Sequence, residues 1–349
     1  LTDVTGVQTC ALPIFHARIR DEVGHPLQSA MLGKVLANRR LFHRLLRAAR
    51  VAQKPVTGGT AYIRHLPMIF AGEHNFRVLP AIAEVPFRDR WPALRPRVDR
   101  PCWRVALFSG CVQDFVYPEQ LEAGLQAMAG LGIQVEFPMG QSCCGLPVQM
   151  MGEKEAARRV ALQNMDAVAA GRFDYIVTLC ASCASHLAHG YPRLFAAEPD
   201  LKQRAEAFAG KVIPFSTFLS RVVQVGPAVF RSEPVRTTYH APCHLCRGMD
   251  EHEAPKRLLQ TAGMAFVPAA EEETCCGFGG TYSSKFPRIS SQILALKLAD
   301  AAKTGARVLV TECPGCVMQL RGGARKAGMP VEVVHLAEVL AASRNPAGG

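Results

Sequence analysis

Long apolar runs are missing from this sequence. No stretch of about 18 or more consecutive apolar residues occurs, so no membrane-spanning helix is expected in the segment given. A basic-then-apolar export signal is likewise lacking at the start. Aromatic residues are sparse, at 7%, and the arginine-rich stretches carry no nucleic-acid-binding motif, so nucleic acid is not an expected partner. The C-x2-C-x2-C-x3-C run of bacterial ferredoxins is absent, which excludes a ferredoxin-type cluster domain within these residues. Hydrophobic residues reach 49%, enough for a sizeable core, and this argues against global disorder.

What the sequence has in excess is cysteine: 13 in 349 residues. Without an export signal the expected compartment is the reducing cytoplasm, where clustered thiols read as metal or cluster ligands rather than disulfides. Cys10 is set aside, because Val4 to Ile14 (VTGVQTCALPI) resembles the in-frame translation of a sequencing-library adapter. Residues 1–14 are therefore read as foreign, and the natural chain is expected to extend further upstream. The net charge of +11 is unevenly placed. Residues 15–104 hold 17 Lys/Arg against 6 Asp/Glu, whereas residues 105–349 are nearly balanced, at 23 against 22, and Asp3 supplies the remaining negative charge. Basicity thus belongs to an N-terminal arm, suited to an acidic partner surface or membrane headgroups, although solvated helix faces explain it as well.

Within that arm, 15–103, apolar residues at helical spacing predict a helix over Leu27 to Gln53. A segment rich in Pro and Arg follows and reads as a linker or extended docking stretch. Because the positive charge sits in residues 15–104 and the repeat cysteines lie outside them, deleting that segment is expected to leave the cysteine sites intact but to weaken partner or membrane association in a salt-dependent way. From Arg104 the pattern becomes strand, helix, strand, helix: RVALFSGC, Glu119 to Ala129, QVEFP, Glu153 to Ala170, DYIVTLC and KVIPFSTFLSRVV. The same order recurs as VRTTYHAPC, Ala254 to Thr261, MAFVP, Ser290 to Ala302, RVLVTEC and VEVVHLAEVL. Alternating strands and helices predict an α/β fold with two tandem halves, 104–230 and 231–343, each with a short parallel sheet.

The cysteines repeat with the same period. Cys111, Cys143 and Cys144 recur 132 residues later as Cys243, Cys275 and Cys276, and Cys180 and Cys183 recur 133 residues later as Cys313 and Cys316. Each falls at or beyond the carboxyl end of an expected strand, the edge where loops of an open α/β sheet converge. Structural zinc takes four ligands in closed tetrahedral geometry. Five thiols with an adjacent pair suit a multi-iron cluster better; zinc and buried or redox-active thiols remain the alternatives. Gly145 and Gly277 directly follow the pairs, and Gly277 to Gly280 offer backbone N–H groups toward cluster sulfurs. Cys246 lies in the same C-x2-C stretch as Cys243, but the repeat spacing selects Cys243 as the ligand. Cys102 has no repeat counterpart and reads as a buried thiol. His240 and His244 flank Cys243, and His186 and His189 follow Cys183; they are candidates for proton relay or for supporting contacts.

On these motifs the chain resembles the CCG, or cysteine-rich, family of iron–sulfur proteins. That family includes the B-type component of heterodisulfide reductase, the iron–sulfur subunits of glycolate and anaerobic glycerol-3-phosphate oxidation, and the lactate-utilisation A proteins. The resemblance implies two non-cubane four-iron clusters. One would be held by Cys111, Cys143, Cys144, Cys180 and Cys183, the other by Cys243, Cys275, Cys276, Cys313 and Cys316. GCVQDFVYPE, VEFPMGQSCCGLP and ETCCGFGGTYS are most similar to the lactate-utilisation A group. AEVPFRDRW, Ala83 to Trp91, resembles the tail of the lactate-utilisation B proteins, whose ferredoxin-type cluster domain would then lie upstream. Two functions follow from the resemblance. One is an electron-transfer subunit of an L-lactate or related 2-hydroxy acid oxidation system, working with other subunits and with quinone or membrane-surface contact at the inner face. The other is a catalytic subunit that reduces a disulfide at its clusters, as in heterodisulfide reductase.

Overall fold

The computed structural model describes residues 27–58, 60–63 and 75–345, so Cys10 and the adapter-like segment lie outside the described residues. In the arm, helices Leu27–Ala37 and Arg39–Ala52 meet at Asn38, whose side chain caps the second helix by accepting from the Leu41 amide at 3.1 Å. A short antiparallel pair follows, β1 (Tyr62–Ile63) with β2 (Leu79–Pro80). Among the described residues no helix is long and apolar enough to cross a membrane.

The cysteine-bearing region begins with β3 (Trp103–Phe108). Val105 to Phe108 are all buried, the near-continuous burial that a parallel strand covered on both faces requires. It joins β4 (Ile133–Glu136), β5 (Tyr175–Thr178) and β6 (Val212–Pro214) in a four-stranded parallel sheet of order β4-β3-β5-β6. The second half repeats the plan with β7 (Arg236–Tyr239), β8 (Ala265–Phe266), β9 (Val308–Thr311) and β10 (Glu332–His335), in the order β8-β7-β9-β10. The expected α/β architecture of two similar halves is what the chain forms. In this strand order the first strand of each half sits between the second and the third. Its two neighbours are reached by crossovers in opposite directions, and the carboxyl-edge loops part to leave a crevice. The cysteines are carried on those loops.

The two halves share a core. Val105, Leu107 and Val177 of the first pack in one apolar cluster with Tyr239, Val310 and Leu336 of the second. The helix after the last strand, Leu336–Ala342, lies on Pro118–Met128 of the other half, and Glu253–Thr261 meets Phe215–Thr217 reciprocally. Three hydrogen bonds lock the turns that precede the third-strand cysteines. Ala181 N donates to Glu312 O at 3.1 Å, Ser216 N donates to Glu312 Oε1 at 2.9 Å, and His335 Nε2 stands 2.7 Å from Leu179 O.

Part of the Pro- and Arg-rich segment is no free linker. Phe87–Leu94 forms a helix that buries Phe87, Arg88 and Trp91. The two rings, one turn apart, pack on Phe137 with centroids at 5.3 and 5.8 Å. Further back, Val78 N donates to Gly322 O at 3.1 Å, so residues 75–80 reach the second half. Deletion of the whole arm would therefore also remove core side chains, Phe87 and Trp91 among them. Polar and proline-rich composition hid two buried aromatic anchors.

Candidate metal centre

The first cysteine of each half follows the first strand: Cys111 lies in the short helix Gly110–Phe115 after β3, and Cys243 opens the turn Cys243–Cys246 after β7. The pairs Cys143–Cys144 and Cys275–Cys276 lie on longer loops after β4 and β8. In both CCG turns the glycine has positive φ, 92° at Gly145 and 83° at Gly277. That left-handed turn aims the glycine amide back at the first thiol of the pair, Gly145 N to Cys143 Sγ at 3.5 Å and Gly277 N to Cys275 Sγ at 3.3 Å. Cys180 and Cys313 occupy the N-caps of the helices that follow β5 and β9, with Cys183 and Cys316 one turn further on.

All ten repeat-matched cysteines line a single cavity of about 190 Å³, whose wall is otherwise mostly apolar, with Val112, Leu146, Pro147, Met150 and Phe278 among its residues. Within it Cys111 Sγ is 3.7 Å from Cys143 Sγ, and Cys276 Sγ is 3.4 Å from Cys316 Sγ. These distances are far beyond the roughly 2.05 Å of a disulfide. They are close to the roughly 3.8 Å that separates two thiolates on one tetrahedral metal with bonds of about 2.3 Å. The crowded thiols share their protons unevenly: hydrogen bonds from neighbouring thiols hold three of the ten well below the ordinary thiol value, while hydrogen bonding and burial push the other seven up. Cys143 and Cys183 lower Cys144, Cys243 and Cys276 lower Cys275, and Cys180 and Cys316 lower Cys313. The Cys180–Cys313 contact joins the two halves, so the sets abut. Thiolate is the form that binds metal, and this donor set fits a thiolate-ligated iron–sulfur group.

Cys246 turns away. It is buried in the shared core, with its Sγ 3.8 Å from the Cys243 carbonyl oxygen. Its repeat counterpart Asp114 also points away from the sulfurs, toward Arg88, at 2.6 Å. Cys102, expected to be buried, is exposed, because it precedes the part of β3 that the sheet covers. Of the four histidines, His189 is exposed, and His186 is buried edge-on to Tyr191. His244 lines the cavity, with Nδ1 3.2 Å from Ser182 Oγ and 3.8 Å from Cys243 Sγ. His240 is fully buried, with its ring nitrogen within 4.8 Å of the Cys276 and Cys316 sulfurs. Sequence reasoning missed three neighbours. Ser182 Oγ approaches Cys313 Sγ at 3.5 Å, Arg77 reaches the second set from the arm, and at Gly110 an added Cβ would stand 2.9 Å from Cys183 Sγ. Only Gly110 left a signal, as a glycine immediately before a repeat cysteine.

The cysteine-rich domain (CCG) family matches residues 105–188 and again 237–321, once over each half. The chain belongs to that family. Relatives called lactate utilization protein A are similar to it. That of an Exiguobacterium species is 36% identical over 237 residues, 68% of this chain and 96% of its own. That of Geobacillus thermodenitrificans is 37% identical over 238 residues, and that of Shouchella clausii 38% over 239, each match covering 98% of the relative. About a third of this chain lies outside these matches. Cysteine-rich family membership and these relatives support an iron–sulfur role in lactate utilisation.

Proposed function

We propose that this chain is the electron-transfer subunit of a system that oxidises L-lactate or a related 2-hydroxy acid, with one non-cubane four-iron cluster on each five-cysteine set. The observation that carries the reading is the gathering of ten thiols, from two separate repeats, around one cavity. Cys111, Cys143, Cys144, Cys180 and Cys183 would hold one cluster, and Cys243, Cys275, Cys276, Cys313 and Cys316 the other. A bound cluster supplies the capacity to accept and release electrons singly. The chain's residues do the rest: the thiolates fix position, the CCG amides donate toward sulfur, and the apolar wall restricts water. The electrons come from a partner protein, with a ferredoxin-type cluster domain upstream in the natural chain or on a separate protein. The protein works in the cytoplasm. Its arginine-bearing arm faces an acidic partner or the inner membrane surface, where quinone is an accessible acceptor.

The test is anaerobic purification followed by iron and acid-labile sulfide analysis with EPR. The protein should be brown and carry both elements. Stoichiometric zinc without sulfide would overturn the reading. One observation favours the second reading, a catalytic role like that of the B-type component of heterodisulfide reductase. Both sets open on the same cavity, so one substrate can meet both. Turnover of organic disulfides with a reduced viologen dye would support that alternative, and its absence in protein loaded with iron would support the relay.

A further inference from the structure

We propose that Arg77 and His240 raise the reduction potential of the cluster on the second cysteine set above that of its duplicate, so that the second site takes the first electron. The inference rests on the reading that each set holds an iron–sulfur cluster. Duplication supplies the same five thiols and the same CCG amide to both sites. A difference in potential must come from groups that were not duplicated.

His240 is one such group. Its repeat counterpart, 132 positions earlier, is Phe108, which is also buried but wholly apolar. Neither ring nitrogen of His240 makes a hydrogen bond of normal geometry, and the Glu272 backbone lies close enough to interact with the ring. A neutral imidazole always carries one N–H, an unsatisfied buried donor is unfavourable, and the Cys276 and Cys316 sulfurs within 4.8 Å are acceptors open to it. Arg77 is the second group, since the arm that delivers it occurs once. Its guanidinium bonds Gln319, donates to Ser283 Oγ at 3.0 Å and lies over the Phe278 ring at 5.4 Å. None of these partners is a carboxylate, and the cation interacts electrostatically with Cys276. Lys256 is matched by Glu272 at 2.9 Å, whereas Lys297, which donates to Glu271 O beside Asp300, also acts on Cys276 and Cys316 and adds to the positive field at this site.

The first site is furnished differently. Its buried cation, Arg88, is neutralised by Asp114. Its buried donors are spent on carbonyls rather than sulfur: Asn164 on Cys143 O at 2.8 Å and the Tyr191 hydroxyl on Cys144 O at 3.0 Å. Reduction adds negative charge, and an unmatched cation and an imidazole N–H beside the sulfurs of a desolvated site stabilise the reduced form.

The test is an EPR-monitored redox titration of the anaerobically purified full chain, with dithionite supplying one electron per step. Signals are assigned by their loss in Cys111→Ala and Cys243→Ala. The signal lost in Cys243→Ala should titrate at the higher potential. His240→Phe, which copies Phe108, and Arg77→Gln should each lower that potential and leave the other signal in place. Arg77→Lys should largely restore it. Iron and sulfide content should be unchanged in all three. Equal or reversed potentials, an unshifted second signal in both variants, or loss of second-site iron in both would overturn the inference. Wild-type protein without iron would instead overturn the cluster reading itself.

Discussion

Cys243 and Cys246 are separated by one helical turn, and that turn decides which of them faces the other thiols. The chain enters it from β7, so Cys243 arrives at the carboxyl edge, where its thiol meets Cys275, while Cys246 is carried round into the shared core. Cys243→Ala should abolish the second cluster's EPR signal and lower the iron content. Cys246→Ala should keep both and cost only about 1 kcal/mol of stability, the ordinary effect of a single substitution. Loss of signal in Cys246→Ala with retention in Cys243→Ala would reverse the assignment.

Among the elements, the helix Phe87–Leu94 shows how much the arm contributes. Arg88 grips Asp114 through its backbone amide at 3.0 Å and its Nε at 2.7 Å, and it also reaches Gln141 O at 3.2 Å. Replacing Arg88 with Leu would leave the Asp114 carboxylate buried and unpaired, at a cost of about 3–5 kcal/mol. A urea midpoint within error of wild type would refute this. The preceding helix, Arg39–Ala52, buries no residue fully, yet His43 packs on Phe115 with ring centroids 5.0 Å apart. Burial first, and then the positive charges of Arg88, Arg39 and Arg47, push the His43 imidazole down to about 3. Its docked form therefore resists a proton that the free helix would accept near 6.5. Docking should be fully retained above about pH 6.5 and should weaken as the pH falls toward about 3. Limited proteolysis of 39–52 at about pH 8 and about pH 5, either side of the free imidazole value, would show it, with His43→Gln flattening the difference.

At the scale of the whole molecule, neither half is complete alone. Their sheets share a core, their helices cross-pack, and Leu179 and Glu312 are each bonded by the opposite half. Residues 231–345 expressed alone should expose Tyr239, Val310 and Leu336, bind a hydrophobic dye and lack a cooperative unfolding transition. Co-expression with residues 27–230 should restore cooperativity. A cooperative, dye-negative fragment would show instead that the interface is dispensable.

The sequence by itself determined the duplication, the strand and helix order and the repeat-matched placement of the ten thiols. Those features are local or periodic: apolar runs set the strands, helical spacing sets the helices, and repeat spacing selected Cys243 over Cys246. Tertiary structure alone decided that both sets face one cavity, because that depends on how two similar halves pack. It also decided that Cys180 meets Cys313, a pair 133 residues apart in sequence. The same is true of Arg77 and Trp91, which read as solvated or linker residues until their partners are known. Burial belongs to a residue's neighbours in space, and for these residues the neighbours are supplied by distant segments of the chain.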